Sequence, residues 1–91
     1  MPYATITEIQ AANRALNRYW FDRESNPETE IIGGHYWVES RPRRDSSARP
    51  GDRWYAAVRA DDDGSVSYLD SSRCSLESLD EALADITAVL G

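Results

Sequence analysis

The sequence contains no lysine, and it has only one cysteine and one histidine. A single cysteine excludes an intramolecular disulfide, and Cys74 with His35 supplies too few soft ligands for a structural zinc site. No apolar run is longer than about five residues, which is far short of a membrane-spanning helix. No signal-peptide pattern begins the chain. We therefore expect a cytoplasmic protein with no membrane contact, no metal and no cofactor.

Charge is present in both signs but is unbalanced. Sixteen Asp and Glu residues outnumber ten basic residues, all of them arginine, and the net charge is -6. Hydrophobic residues make up 41% of the chain and charged residues 29%, which is typical of globular proteins and excludes wholesale disorder. A chain of 91 residues has room for a single domain, 1–91.

Helical patterns lie near both ends of the chain. Thr5 and Thr7 each begin a capping-box pattern, and the sequence does not choose between them. A helical stripe then predicts a helix from about Thr7 to Trp20, with Asn13 on its wetter side. Its apolar members are Ile9, Ala12, Leu16, Tyr19 and Trp20.

The second helix has the clearest start. Ser78 and Glu81 form a capping box, and an apolar stripe at helical spacing follows it. That stripe contains Leu79, Leu83, Ile86 and Leu90.

The segments between the helices predict β-strands. Two β-prone runs surround Gly33-Gly34, which fits either a tight hairpin or one strand bent at the glycines. Asp61-Asp62-Asp63-Gly64 is a hairpin-turn signal between two further runs. The four β-prone runs are 29–32, 35–40, 53–60 and 65–69.

This α-β-β-β-α order predicts an α+β fold with two layers. The antiparallel sheet has three to four strands, and the N- and C-terminal helices are expected on one of its faces. The other face would be partly wet and would hold several of Trp37, Glu39, Tyr55 and Arg59. The expected core contains Leu16, Trp20, Val38, Val58, Leu83 and Ile86.

The segment 41–53, which we call the Arg-rich segment, is read as a long loop. It holds five Arg and two Asp, a charge of +3, whereas the remaining residues hold five Arg and fourteen acids, a charge of -9. One interpretation is a flexible loop that grips phosphates or an acidic protein surface. The other is a solvated hairpin connection. The candidate partner-binding residues are Arg41, Arg43, Arg44, Arg49 and Arg53.

Acidic residues form two further candidate groups. Asp61, Asp62 and Asp63 lie at the predicted hairpin tip, and the second helix begins with several acids. Exposed carboxylates at such places can steer a basic partner or imitate a nucleic-acid backbone. The Asp triplet lacks the rest of a calcium-binding loop, which favours turn chemistry over a metal site.

No catalytic arrangement is recognisable. His35 is the only histidine, it lies beside a Gly-Gly turn, and neither a nucleophile elbow nor a cysteine-centred motif is present. Trp37 and Trp54 can stack bases on an open sheet, or they can pair across strands in a small core. The net negative charge opposes nucleic-acid binding. We therefore expect a binding protein with neither catalytic activity nor a small-molecule substrate.

Several runs of the sequence form a distinctive set when they are taken in their order. The runs are 9–13, 20–21, 33–40, 54–59 with the acidic turn that follows, and the helix start at 78–82. Together they resemble a family of small proteins encoded by phages, plasmids and other mobile elements. Relatives of that family usually carry an aromatic, Arg-containing stretch after the Trp-Phe pair, whereas this chain has residues 26–30, Asn-Pro-Glu-Thr-Glu.

The resemblance implies a mobile-element origin, and small acidic proteins of that origin are often inhibitors of host defence, anti-CRISPR proteins among them. The leading hypothesis is therefore a phage-type inhibitor in the host cytoplasm that docks on a host protein or nucleoprotein complex, such as a CRISPR effector. The alternative is an accessory nucleic-acid-binding protein that uses the Arg-rich segment.

Overall fold

The computed structural model describes residues 2–17, 20–21, 24–69 and 75–91. Tyr19 and Cys74, which entered the sequence predictions, lie outside these residues. The elements are α1 (Ile6–Ala15), β1 (Asn26–Pro27), β2 (Tyr36–Pro42), β3 (Arg53–Ala60), β4 (Val66–Tyr68) and α2 (Leu79–Leu90). These four strands form an antiparallel sheet in the order β1-β2-β3-β4. Neither helix in the described part of the chain has the length and apolar character needed to cross a bilayer.

The predicted α+β class, the antiparallel sheet and the terminal helices are confirmed, but the two helices do not share one face of the sheet. Ile9 of α1 packs with Trp37 and Val58, whereas Ile86 of α2 packs with Val38. Because successive strand residues point to opposite faces, α1 and α2 cover opposite sides of the sheet. The expectation of one wet face is therefore wrong.

The first helix begins at the earlier of the two capping signals. Thr5 is its N-cap, and the Thr5 hydroxyl accepts a hydrogen bond from the Glu8 backbone N–H at 3.2 Å. The helix ends at Ala15 rather than near Trp20, because Asn17 takes a left-handed conformation with φ +59°. Leu16 is consequently 36% exposed instead of buried.

The second helix confirms its predicted start. Ser78 is the N-cap, and its hydroxyl accepts from the Glu81 backbone N–H at 3.2 Å. The Glu81 carboxylate reaches back to the Glu77 N–H at 3.1 Å. Two N–H groups that the helix itself cannot pair are satisfied in this way.

The Gly33-Gly34 pair makes a tight turn, so the hairpin alternative is correct. Both glycines have positive φ, and Ile32 and Tyr36 exchange backbone hydrogen bonds across the turn. The arm before the turn is irregular, because Val38 N–H donates to the Thr29 hydroxyl at 3.0 Å rather than to a backbone carbonyl. Only β1 within this arm is a regular strand.

Strand β3 has its predicted bounds, whereas β2 extends two residues beyond its predicted end at Ser40. Strand β2 runs to Pro42 and pairs in register with β3, from Tyr36 opposite Arg59 to Pro42 opposite Arg53. Arg41 and Arg53 therefore belong to the sheet, and the connection is the β2–β3 loop, residues 43–52. Asp61–Gly64, the acidic turn, joins β3 to β4.

Candidate functional site

Arg41 binds a buried carboxylate of its own strand. Its Nε lies 3.3 Å from Glu39 Oε2, and its Nη2 donates to the Trp20 carbonyl oxygen at 3.1 Å. The Trp20 indole N–H donates to Glu39 Oε1 at 2.7 Å, and the Ser25 hydroxyl donates to the same oxygen at 3.1 Å. The Glu39 side chain is completely buried. Arg41 is therefore committed to holding the chain around Trp20 and Ser25 against the sheet.

The Glu39 carboxyl group is titratable but enclosed. Burial raises its pKa above the ordinary glutamate range, and this effect is opposed by the Trp20 N–H and by the charge of Arg41. A carboxylate without solvent access cannot contact a partner directly. Its chemistry fits an anchor inside the fold rather than a catalytic acid or base.

Arg53 also holds a neighbouring part of the chain against the sheet, on the opposite face of β2. Its Nε donates to the Ser40 hydroxyl at 2.6 Å, and its Nη2 donates to the carbonyl oxygens of Ser40 and Glu24, both at 3.1 Å. The buried Ser40 hydroxyl donates to Glu28 Oε1 at 2.5 Å, and that bond lowers the pKa of the Glu28 carboxyl. Arg53 thus ties β3 to the chain that precedes β1.

Arg43, in the β2–β3 loop, lies between an aromatic ring and a carboxylate. Its guanidinium carbon is 4.1 Å from the centroid of the Trp54 ring. The Nε and Nη2 groups donate to the two carboxylate oxygens of Asp45 at 3.1 and 3.0 Å. This pairing raises the pKa of Arg43 and lowers that of Asp45. Arg43 is therefore positioned by side chains of its own hairpin.

Arg44 and Arg49 are the exposed arginines of the segment. The Arg44 side chain is 71% exposed and forms an ion pair with Glu24. Within the described parts of the chain, the Arg49 guanidinium makes no ion pair, and its backbone N–H donates to Asp52 Oδ2 at 3.0 Å. The structure therefore does not present the five predicted arginines as one basic surface.

The acidic turn is closed by its own side chains and by α1. Asp63 Oδ1 accepts from the Ser65 backbone N–H at 3.0 Å and from the Ser65 hydroxyl at 2.5 Å. Gly64 has φ +96°, and its carbonyl oxygen accepts from Asn13 Nδ2 at 2.9 Å. Asp61, Asp62 and Asp63 are all exposed. The turn therefore displays three carboxylates from a well-defined backbone.

The two predicted groups of site residues lie at opposite ends of β3. The β2–β3 loop precedes Arg53 and the acidic turn follows Ala60, so about 24 Å of strand separates them. The acidic start of α2, by which we mean Glu77, Asp80 and Glu81, lies at the loop end. Leu76, which precedes Glu77, exchanges backbone hydrogen bonds with Tyr55 near the start of β3. Carboxylates are thus displayed at both ends of the sheet. At the acidic-turn end they lie beside one exposed arginine, Arg59, whose Nη1 is 3.6 Å from Asp61 Oδ1.

His35 and the acidic residues that the structure describes show no metal-binding arrangement. His35 Nδ1 is 3.1 Å from the Ala60 carbonyl oxygen, which can only accept, so Nδ1 carries the proton. The Tyr3 ring meets the imidazole edge-on, with ring centroids 6.0 Å apart. Among the residues that the structure describes, no three His, Cys, Asp or Glu side chains are grouped to hold a metal ion.

The sequence pattern predicted that Asn13 and Glu39 are exposed to solvent, but both are buried. Asn13 is 3% exposed, and besides its bond to Gly64 its Oδ1 accepts from the Trp20 backbone N–H at 3.3 Å. Each of the two is followed by another polar residue, Arg14 or Ser40, and no local pattern distinguishes them from exposed side chains. Their partners are distant in sequence, so only the tertiary structure reveals them.

The resemblance to phage-encoded proteins stays a prediction. No protein-family model, no curated protein and no solved structure matches this chain.

Proposed function

We propose that this protein is a phage-type inhibitor that binds a basic surface of a host nucleoprotein defence complex, such as a CRISPR effector, through its carboxylates. We choose the carboxylates rather than the arginines as the binding groups because most of the described arginines are already in ion pairs. Five of the seven arginines that the structure describes form ion pairs with acidic residues of the same chain. The five are Arg41, Arg43, Arg44, Arg53 and Arg59.

The exposed acidic groups, among them Asp61 in its pair with Arg59, extend over the length of a short nucleic-acid segment. The acidic turn and the acidic start of α2 display carboxylates at the two ends of β3, and α2 itself contains no basic residue. A separation of about 24 Å corresponds to about seven base pairs of a duplex. A channel lined with Arg and Lys for a nucleic-acid backbone would attract such a surface through its long-range field. The mobile-element origin is supported by the sequence resemblance alone.

The test is carried out in bacteria whose CRISPR system targets an infecting phage. Expression of the protein is expected to raise the plating efficiency of the targeted phage, whereas a non-targeted phage plates equally with and without it. The variant Asp61→Asn, Asp62→Asn, Asp63→Asn removes three charges, and Gly64 still closes the turn. We expect this variant to lose protection. Unchanged plating of the targeted phage across a panel of such defence systems would refute the proposed function.

The arginine variant is the matched control. Arg43→Ala with Arg44→Ala alters charge at the other end of β3 and leaves the acidic turn intact. We expect it to protect phage as well as the parent protein does. If it loses protection while the triple Asn variant keeps it, the contact is made by the loop and the assignment to carboxylates is wrong.

In a binding assay with the purified defence complex, the Asp triplet also has a kinetic signature. Exposed carboxylates that steer association lose their effect as salt screens them. We therefore expect the triple Asn variant to associate more slowly than the parent at low salt and equally at high salt. Equal association rates at every salt concentration would remove the triplet from the mechanism.

An accessory nucleic-acid-binding protein is the second candidate, and it is supported by the position of Arg43, Arg44 and Arg49 in one loop. It predicts direct binding of free DNA with a steep salt dependence. Binding to a defence complex without binding to free DNA supports the inhibitor instead.

A further inference from the structure

Arg43 is much less exposed than its place in a surface loop would indicate. Its side chain is only 19% exposed, because the Trp54 ring covers one side of the guanidinium and Asp45 caps its edge. The Asp45 carboxylate is held by several donors at once. The Arg43 fork provides two hydrogen bonds, and the Ser47 hydroxyl donates to Asp45 Oδ2 at 2.5 Å. These donors form an anion-binding site, and an anion of the same chain occupies it.

This carboxylate can leave the site without opening the loop. Its side chain is 39% exposed. The loop is closed by main-chain bonds, from Arg43 N–H to the Asp52 carbonyl oxygen and from Asp52 N–H to the Arg49 carbonyl oxygen. The Asp52 side chain, not that of Asp45, caps the Arg49 N–H. Rotation of the Asp45 side chain would therefore expose the Arg43 fork while the backbone stays in place.

The same donors suit a phosphate group. Arginine binds carboxylates and phosphates through the same planar fork, and a stacked ring limits the rotation of that fork. The Ser47 hydroxyl would donate to a phosphate oxygen as it donates to Asp45. Arg44 and Arg49 lie in the same loop and would add positive charge at the edge of the site.

We propose that Arg43, Trp54 and Ser47 form a phosphate-binding site that Asp45 keeps closed by occupying it. This site lies at the far end of β3 from the acidic turn, and it does not depend on the proposed inhibition of a defence complex. Because Asp45 fills the site in the native chain, removal of Arg43 has little effect there. Removal of Asp45 opens the site.

The first experiment measures the binding of a fluorescein-labelled single-stranded DNA 12-mer by fluorescence anisotropy. We expect Asp45→Ala to bind about tenfold more tightly than the parent, because a charged hydrogen-bonded pair no longer competes with the ligand. Adding Arg43→Ala to this variant should abolish the gain. The matched control is Asp52→Asn, which removes the same charge from the same loop and leaves the Arg43–Asp45 pair intact. Equal affinity of Asp45→Ala and Asp52→Asn would overturn the proposal, and so would an Asp45→Ala variant with no gain.

The second experiment identifies the source of the phosphate. Inorganic phosphate is added as a competitor to the Asp45→Ala complex with the 12-mer. Competition by millimolar phosphate, but not by the same concentration of chloride, indicates that one phosphate group fills the site. Resistance to phosphate at matched ionic strength, together with loss of binding in the Arg43→Ala double variant, indicates that the polymer backbone is the ligand.

A measurement on the unaltered protein keeps the proposal falsifiable if Asp45→Ala does not fold. Two-dimensional ¹H–¹⁵N NMR follows the Arg43 Nε–H and Trp54 indole N–H signals during titration with inorganic phosphate. We expect both signals to shift at high phosphate concentration, and the Arg49 Nε–H signal to shift less. Unmoved Arg43 and Trp54 signals would overturn the proposal.

Discussion

Glu39→Ala should be one of the most destabilising single substitutions in this protein. The change removes the carboxylate that accepts from three donors, namely the Trp20 indole, the Ser25 hydroxyl and the Arg41 guanidinium. Loss of one member of a buried ion pair costs about 3–5 kcal/mol when its partner remains enclosed. The Arg41 side chain is 25% exposed and can turn toward water. We therefore expect a loss near the lower end, about 3 kcal/mol.

Glu39→Gln keeps the shape of the side chain and removes its charge. The amide keeps a carbonyl oxygen as acceptor for Trp20 Nε1, but its NH₂ group faces Arg41, which can only donate. We expect a smaller loss of about 1–2 kcal/mol. Glu30→Gln is the matched control, because Glu30 is exposed, and its effect should lie within about 0.5 kcal/mol of zero.

The assay is urea unfolding followed by far-ultraviolet circular dichroism, with the free energy of unfolding obtained for all three variants and the parent. A loss below about 1 kcal/mol for Glu39→Ala would refute the reasoning, because the buried carboxylate would then hold no essential contact. An equal loss for Glu39→Gln and Glu39→Ala would refute the role assigned to the Trp20 bond.

The pH dependence of the same measurement has a defined sign. The pKa of Glu39 is raised in the folded chain, so the folded state holds this proton more tightly than the unfolded state does. The stability that Glu39 contributes is present at acidic pH and is lost as pH rises through the raised pKa. The difference between the parent and Glu39→Gln should therefore shrink from acidic to neutral pH. The pKa of Glu28 is lowered, so its contribution falls at acidic pH, but it is common to both proteins and cancels.

Two further comparisons test the packing of the fold by the same unfolding measurement. Gly64→Ala should cost about 2–5 kcal/mol, because φ is +96° and a Cβ would lie 2.6 Å from the Ala12 backbone carbon; Gly51→Ala, with φ +90° and nothing within 4 Å, should cost only about 1–2 kcal/mol. Equal losses would show that Gly64 does not touch α1. Ile86→Ala should cost about 2–5 kcal/mol because Ile86 is 1% exposed, whereas Leu16→Ala at 36% exposure should cost under about 1 kcal/mol. A larger loss for Leu16 than for Ile86 would contradict the observed end of α1.

Local chemistry determined the parts of the fold that depend on a few neighbouring residues. Ser78 and Glu81 begin α2 because their bonds close within four residues. The acidic turn forms because Gly64 accepts positive φ and Asp63 binds Ser65, two residues away. These features can be read from the sequence without knowledge of the rest of the chain.

The tertiary structure alone decided which side chains are buried and which arginines are exposed on the surface. Strand β3 carries apolar residues at three successive positions, Ala56, Ala57 and Val58. Because successive strand residues point to opposite faces, both faces of the sheet are apolar and one helix packs on each. Glu39 is an interior residue because Trp20 and Ser25, nineteen and fourteen positions earlier in the chain, donate hydrogen bonds to its carboxylate. Their approach depends on the whole chain folding back, and no short sequence pattern encodes a contact of that range.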